Sequence, residues 1–243
     1  PLYSDEPAQI AAHPLAAFVS ASLSACRENL DSADVMRIIK TGILPVSHED
    51  AAEFENYCFI WNVRGNMFLS EFTQNPRGAA ESRPEDFEPL PGINAIRAAV
   101  CEPLARLRSR IAEANGSEFA AALYDYLCEC RVTEGLRRLY DEYSAAGNTA
   151  AAEDLDTFWS FLAAALDKFS AALAEARLGG AALGQLFELV LMSAKIGILP
   201  RTLDCVAAGT ADRMRPSGIK AVFVIGALDG VFPAPPKSGS LFT

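Results

Sequence analysis

The chain has 243 residues, of which 51% are hydrophobic and 21% are charged. This composition can fill a hydrophobic core, and it lacks the low hydrophobicity and high charge that keep a chain disordered. The formal net charge is −10 at pH 7. The surface as a whole therefore repels nucleic acid, and any contact with DNA must be local or shared with a partner.

The apolar stretches are short, and the longest, such as residues 158–166, fall well below the ~20 residues needed to cross a bilayer. The first thirty residues contain no basic start followed by an apolar run, so they do not indicate a signal peptide. The sequence therefore predicts a cytoplasmic protein without membrane contact. Because it begins at Pro1 and stops at Thr243 just after a proline-rich loop, we expect a piece of a longer protein.

Apolar residues recur at three- and four-residue spacing and predict a mainly helical chain. A first helix has an apolar face over residues 15–26, and a second, capped by Asp31 or Ser32, ends at residues 40–42. Ser47 is predicted to cap a third helix, rich in aromatic residues, that stops at residues 64–65.

The middle of the chain begins with the polar, proline-containing segment 66–91, which is predicted to be a long functional or mobile loop. A helix over residues 93–111 follows, with a bend expected at Pro103. Ser117 and Thr133 are predicted to cap two shorter helices. The last helical signals cover residues 149–178 and 183–194.

The character of the chain changes after Pro200. Residues 221–225 are a continuous apolar run, rich in β-branched residues and flanked by glycines, which predicts a buried strand. Residues 203–207 give a second, weaker strand signal. The pattern predicts a helical body attached to the edge of an α/β domain.

Residues 218–233, which contain that strand, resemble part of the second RecA-like domain of UvrD/Rep-type helicases. Residues 208–215 stand where the fifth motif of those helicases contacts the DNA backbone and senses nucleotide. Thr210 matches the threonine of that motif, whereas Asp212 stands in place of its histidine. Ser217 and Lys220 replace a lysine and a glutamate, so the motif is degraded.

The degraded motif, together with shorter matches at residues 13–14, 35–42 and 55–65 in the same order, resembles AddB/RexB-type subunits of bacterial ATP-dependent helicase-nucleases. The resemblance implies that residues 1–44 and 201–243 belong to the second RecA-like (2A-like) domain. Residues 45–200 would form its helical, 2B-like insertion. The expected fold is therefore mainly α, with a few short strands from part of a RecA-like domain.

The resemblance also implies that this segment performs no chemistry. It has no phosphate-binding loop, and ATP, Mg²⁺ and an iron-sulphur cluster would belong to other parts of the complex. The implied partner is an AddA-type helicase/nuclease subunit, and DNA would be reached through the complex. The implied role is in repair and recombination at DNA double-strand breaks.

Four residues are candidates for contact with DNA or nucleotide: Thr210, Arg213, Arg215 and the weaker Lys220. Hydroxyl and guanidinium groups on a glycine-containing loop can hold phosphate oxygens. The alternatives are an ordinary solvated loop and a contact with another domain. Residues 236–239 faintly resemble a phosphate loop but lack its glycines, so we interpret them as a linker.

The six cysteines are predicted to be buried free thiols, since most have apolar neighbours and nothing indicates an oxidising compartment. The pair Cys128 and Cys130 does not have the usual spacing of a metal site, and two histidines are too few to complete one. The cysteines are Cys26, Cys58, Cys101, Cys128, Cys130 and Cys205.

Other polar residues have ordinary structural explanations. His13 and His48 stand at helix starts and are interpreted as capping or surface residues. Trp61 and Arg64 could stack on DNA bases, but a tryptophan on an apolar face usually belongs to the core. An acidic cluster could form an acid/base pair, but carboxylates in a first turn are already favoured by the helix dipole. Its members are Asp50, Glu53 and Glu55.

Three functional hypotheses remain. The first is a non-catalytic segment of an AddB-type subunit, whose parent would be an ATP-dependent exonuclease and helicase. The second is a segment of an active UvrD-like helicase, against which Asp212 and Ser217 argue. The third is a helical protein-interaction scaffold unrelated to DNA.

Overall fold

The computed structural model describes residues 2–4, 10, 13–79, 83–193, 206–209 and 220–228. The chain divides into two compact units. One comprises Pro7–Ile196, and the other combines Pro1–Glu6 with Gly197–Thr243. The predicted boundaries at residues 44 and 200 follow the resemblance to helicase domains and stay predictions.

The unit Pro7–Ile196 is helical, as the apolar spacing predicts. None of the helices among the described residues is long and apolar enough to cross a membrane. Its helices in chain order are α1 (Pro14–Arg27), α2 (Ser32–Lys40), α3 (His48–Ile60), α4 (Leu90–Ile111), α5 (Gly116–Glu129), α6 (Val132–Ala145), α7 (Thr149–Ala172) and α8 (Gly180–Met192).

Of the caps predicted at aspartate, serine or threonine, those of α2 and α3 are confirmed and those of α5 and α6 are wrong. The Ser47 hydroxyl accepts from the Asp50 N–H at 3.1 Å, and Asp31 caps α2. Ser117 does not cap α5. Asn115 does, accepting from the Glu118 N–H while the Glu118 carboxylate accepts from the Asn115 N–H, both at 2.9 Å. This reciprocal pair satisfies two amides, whereas a lone serine cap would satisfy one.

Thr133 does not cap α6 either. Position Arg131, just before the helix, has the left-handed conformation (φ 50°) and makes no capping hydrogen bond through its side chain. The sharp turn from α5 into α6 leaves no residue in the extended conformation that a capping threonine would need.

Helix α7 ends at Ala172, six residues before the predicted end at 178. The Leu173 carbonyl accepts from the Gly116 N–H at 3.0 Å, at the start of α5. A side chain at Gly116 would collide with that carbonyl, so glycine permits the approach. Helix α8 begins correspondingly early, at Gly180, and α4 runs from Leu90 through Pro103 to Ile111 as one helix.

The core of this unit lies between α1, α4, α5, α7 and α8 and is rich in aromatic rings. Phe119 of α5, Phe169 of α7 and Phe187 of α8 meet with ring centroids 5.2–6.1 Å apart. Between α1 and α5, the buried hydroxyls of Ser22 and Tyr126 form a hydrogen bond of 2.8 Å. This bond satisfies two polar groups that would be costly to bury alone.

Most of the segment predicted as a long loop is packed against the helices. We call its described residues, 65–79 and 83–89, the strap. It contains two 3₁₀ turns, Gly65–Leu69 and Pro84–Phe87, and residues 80–82 lie outside the described part. Phe68 and Phe72 are buried against Phe54 of α3. Polar composition and prolines predicted a loop correctly, but these two buried aromatic residues attach it to the helices.

The backbone of the strap is held by α4. Asn94 accepts from the Phe72 N–H at 2.8 Å and donates to the Phe72 carbonyl at 2.9 Å. The buried Arg97 donates to the Phe68 carbonyl at 3.2 Å. Side chains therefore satisfy backbone groups that no helix or sheet satisfies there.

The other unit contains β1 (Leu2–Ser4) and β2 (Val206–Ala208), which pair in parallel, Leu2 opposite Val206. The second strand overlaps the signal at 203–207. The predicted buried strand at 221–225 is wrong for this chain: those residues form no strand, and Phe223 is 87% exposed and Ile225 93% exposed. No described strand pairs with them, so their sequence preference has no sheet to join.

Candidate functional site

Three of the predicted DNA or nucleotide contacts, Thr210, Arg213 and Arg215, lie outside the described residues. The fourth, Lys220, is exposed and begins the exposed segment 220–228. The role of all four stays a prediction.

Trp61 belongs to the packing of the strap. Its indole N–H donates to the Asn75 carbonyl at 2.9 Å, and its ring is partly buried against the core. The stacking hypothesis is therefore less favoured for Trp61, because the ring is already used. Arg64, three residues later, is exposed and makes no ion pair with any described carboxylate.

The acidic residues at the start of α3 do not form a pair. Asp50 accepts from the Ser47 hydroxyl at 2.7 Å, and Glu55 forms an ion pair with Lys40 at 2.6 Å. Glu53 is exposed. Asp50 and Glu55 are held by these separate partners, and the arrangement gives no acid/base pair.

His13 caps α1, as predicted. Its Nδ1 accepts from the Leu15 N–H at 3.2 Å, and its ring stacks on Phe158 with centroids 4.3 Å apart. Burial lowers the pKa of His13 to about 4, and the Asp154 backbone opposes this shift only in part. Because this pKa lies well below 7, the His13 imidazole is neutral at pH 7.

The prediction of free thiols is confirmed for the five described cysteines, four of which are buried. Burial raises the pKa of Cys26, Cys58, Cys101 and Cys130 to about 12, so these thiols stay protonated and unreactive near neutral pH. Cys128 is exposed, and Cys205 lies outside the described part. The described residues include no cluster of three or more side chains suited to a metal ion.

A strained turn joins α1 to α2. Asn29 and Leu30 are consecutive non-glycine residues with left-handed backbones (φ 56° and 58°), which costs free energy at each. Leu30 is fully buried, and its carbonyl accepts from the Gly65 N–H at 3.2 Å. The strain is held in place by this burial and by the start of the strap.

Arg108 of α4 donates to the Asn29 side-chain carbonyl. Its neighbours on the same helix are paired with acids: Arg106 with Glu129 and Arg110 with Asp125, the latter at 2.8 Å. Among the described carboxylates none forms an ion pair with Arg108. Its charge is thus left available beside the strained turn.

A groove of about 260 Å³ lies next to Arg108. Its walls are mostly apolar, from Leu30, Leu69, Ala105, Arg108, Ser109 and Ala112. We call this feature the Arg108 groove. Sequence reasoning missed it because its walls come from the turn after α1, the strap and α4. The alternating arginines at 106, 108 and 110 were the one local signal, and they do not indicate which arginine lacks an acid.

No family model matches the chain. Curated proteins named as the B subunit of an ATP-dependent helicase/deoxyribonuclease match nearly all of it. The one from Moorella thermoacetica is 33% identical over 244 residues, covering 96% of this chain. That from Acetivibrio thermocellus is 28% identical over 242 residues, also covering 96%. That from Ruminiclostridium cellulolyticum is 29% identical over 239 residues.

The chain is homologous to a segment of these B subunits. The resemblance to AddB/RexB-type proteins is therefore confirmed. The chain spans about a fifth of the length of the curated relatives that it matches, 21% in all three cases. Activities of the whole relatives reach this chain only as proposals.

Proposed function

We propose that this chain is a non-catalytic segment of the B subunit of an ATP-dependent helicase/deoxyribonuclease that acts in DNA double-strand-break repair and recombination in the bacterial cytoplasm. The observation that carries the proposal is the match of nearly the whole chain to relatives that bear the name of that subunit. Because those relatives are named as one subunit of an enzyme, a complex with an A-type partner is also supported.

The non-catalytic role is supported by how the polar residues are used. Carboxylates at the start of α3 serve caps and ion pairs, and His13 caps α1 while packed on Phe158. ATP, Mg²⁺ and an iron-sulphur cluster are assigned by the resemblance to other parts of the complex.

We also propose that residues 1–44 and 201–243 belong to a RecA-like domain and residues 45–200 to its helical insertion. Thr210, Arg213, Arg215 and Lys220 would then face DNA or nucleotide in the complete protein. Replacing Arg213 and Arg215 by glutamine in the full-length subunit should weaken DNA binding by the complex. An unchanged affinity for DNA, with an unchanged dependence on salt, would contradict this assignment.

The experiment that tests the function uses the full-length subunit and the A-type subunit from the same source. Linear duplex DNA is incubated with each subunit alone and with both, with and without ATP. We expect degradation that requires both subunits and ATP. ATP-driven unwinding by the B-type protein alone would favour the active-helicase hypothesis, and no activity on DNA in any combination would favour the scaffold unrelated to DNA.

A further inference from the structure

Helix α8 is apolar both toward the core and away from it. On the inner side, Leu183, Phe187 and Leu191 are fully buried. The other side carries four large apolar side chains that are exposed: Leu186, Leu189, Val190 and Met192. We call these four residues the outer face of α8. Leu189 lies opposite the buried residues at helical periodicity and is 67% exposed.

The residues of the outer face are neighbours on the helix surface. Leu186 lies one turn from both Leu189 and Val190, and Met192 lies one turn from Leu189. Apolar side chains scattered singly are normal on a protein surface, whereas a group of neighbours marks a surface that another surface covers. A helix that is apolar on all sides is typically buried on all sides.

The outer face has no charge that would favour contact with water. Glu188 is the one charged residue of α8, and its carboxylate accepts from the Ser20 hydroxyl of α1 at 3.2 Å and forms an ion pair with Arg27 at 3.5 Å. The next charged residues along the chain lie beyond the two ends of the helix, at Glu175 and Arg177 before it and at Lys195, outside the described residues, after it.

Helix α7 shows how a water-facing helix of this chain is built. Its exposed residues include the charged Asp156, Asp167 and Lys168 together with Ser160. The exposed side of α7 is therefore solvated by its own polar groups, and the outer face of α8 is not.

The chemistry of the outer face indicates what covers it. DNA does not fit, because phosphate contacts need lysine or arginine. Interfaces between separately folded proteins are usually anchored by tryptophan, tyrosine or arginine within a polar rim. The outer face instead consists of leucine, valine and methionine, the residue types of a protein interior.

We propose that an apolar surface from elsewhere in the same B-subunit polypeptide packs on the outer face, so that α8 becomes part of a core in the complete subunit. The relatives are long enough to supply this surface, because the chain spans 21% of their length and most of each lies outside it. The inference rests on the proposed function, since it takes the chain to be part of a B subunit.

Cysteine labelling of the full-length B subunit without its partner tests the proposal. Leu189→Cys places a thiol at the centre of the outer face, and Ser160→Cys places one on the exposed side of α7 as the control. Peptide mass spectrometry measures the rate of reaction with iodoacetamide at each site, relative to the rate in urea-unfolded protein. We expect position 189 to react at least about tenfold more slowly than position 160, because reagent reaches a covered site only through local opening.

Leu186→Cys is a second variant, which guards against a local disturbance at position 189 and should be protected as well. Rates at positions 186 and 189 equal to the rate at position 160 would overturn the proposal. Protection that appears only when the A-type subunit is added would assign the outer face to that partner. Protection that increases with the concentration of the B subunit would assign it to a second copy. Either result would also overturn the proposal.

The labelling is read without any enzymatic activity, which separates this inference from the function beneath it. If the two wild-type subunits together do not degrade DNA with ATP, the proposed function fails, and labelling at position 189 still reports whether the polypeptide covers α8. If they degrade DNA and position 189 reacts as fast as position 160, only this inference fails.

Discussion

At the scale of single residues, Gly135 is the most constrained position of α6. A Cβ there would collide with the Ile43 carbonyl, a backbone atom that cannot swing aside. Gly135→Ala should therefore lower the free energy of unfolding by about 1–3 kcal/mol, the usual cost of overpacking a core. Chemical denaturation of the chain measures it.

Gly92 is the matched control, since it also lies within a helix but is exposed and has open space around it. Gly92→Ala should raise stability by up to about 1 kcal/mol through helix propensity. Equal effects of the two substitutions would mean that Gly135 does not mark a close backbone approach.

His13 gives the fold a dependence on pH. Its pKa is lowered by burial from 6.5 to about 4, so between these values the unfolded chain binds more protons than the folded one. The stability from neutral His13 is present above pH 6.5 and is lost as the pH falls toward 4. Because the ring is partly exposed, we expect a loss of at most about 2 kcal/mol between pH 7 and pH 5.

His13→Asn is the informative variant, because asparagine also caps a helix but does not titrate. It should flatten the fall in stability between pH 7 and pH 5, followed by thermal or urea unfolding at several pH values. His48→Asn, at an exposed first-turn position, should leave the fall in place. An unchanged pH profile in His13→Asn would contradict the burial of this imidazole.

At the scale of elements, the strap depends on Asn94. Its carboxamide makes both hydrogen bonds to the Phe72 backbone, so Asn94→Ala leaves an N–H and a carbonyl unsatisfied. We expect about 1–3 kcal/mol of destabilisation and faster hydrogen exchange over residues 70–79. Asn66→Ala, at an exposed position of the strap, should affect neither. Equal exchange in both variants would show that Asn94 does not hold the strap.

Local sequence signals predicted the helices well and their ends less well. Apolar spacing depends on one face per helix, which is a local property, and α1 to α8 all follow it. The ends depend on contacts between distant residues. Glu118 selects Asn115 over Ser117 as a cap, and the bond from Gly116 to Leu173 ends α7. The strap differs from a free loop through Phe68 and Phe72, whose burial needs α3.

At the scale of the whole molecule, the exposed segment 220–228 has the composition of a buried strand. Phe223 and Ile225 are almost fully exposed in this chain. If the segment is a strand of a RecA-like domain, the rest of the full-length protein must cover it. Phe223→Cys should then react quickly with a thiol reagent in this chain and slowly in the full-length subunit, as followed by mass spectrometry. The exposed Cys128 serves as the internal reference.

The family could be predicted from short sequence motifs in a fixed order, such as residues 218–233 and the altered loop 208–215 before them. The relatives confirm this prediction. The Arg108 groove could not be predicted, because it depends on which of three neighbouring arginines forms an ion pair with an acid of α5. That choice is set by packing, which no local pattern encodes.

The central claim is that this segment supplies structure to a helicase/deoxyribonuclease subunit and no chemistry. The most direct measurement is the rate of ATP-dependent degradation of linear DNA by the assembled complex, with Asp50→Asn and Glu53→Gln combined in the full-length subunit. We predict a rate equal to that of the wild type within error. A loss of about 100-fold or more, the scale of a missing general acid or base, would contradict the claim.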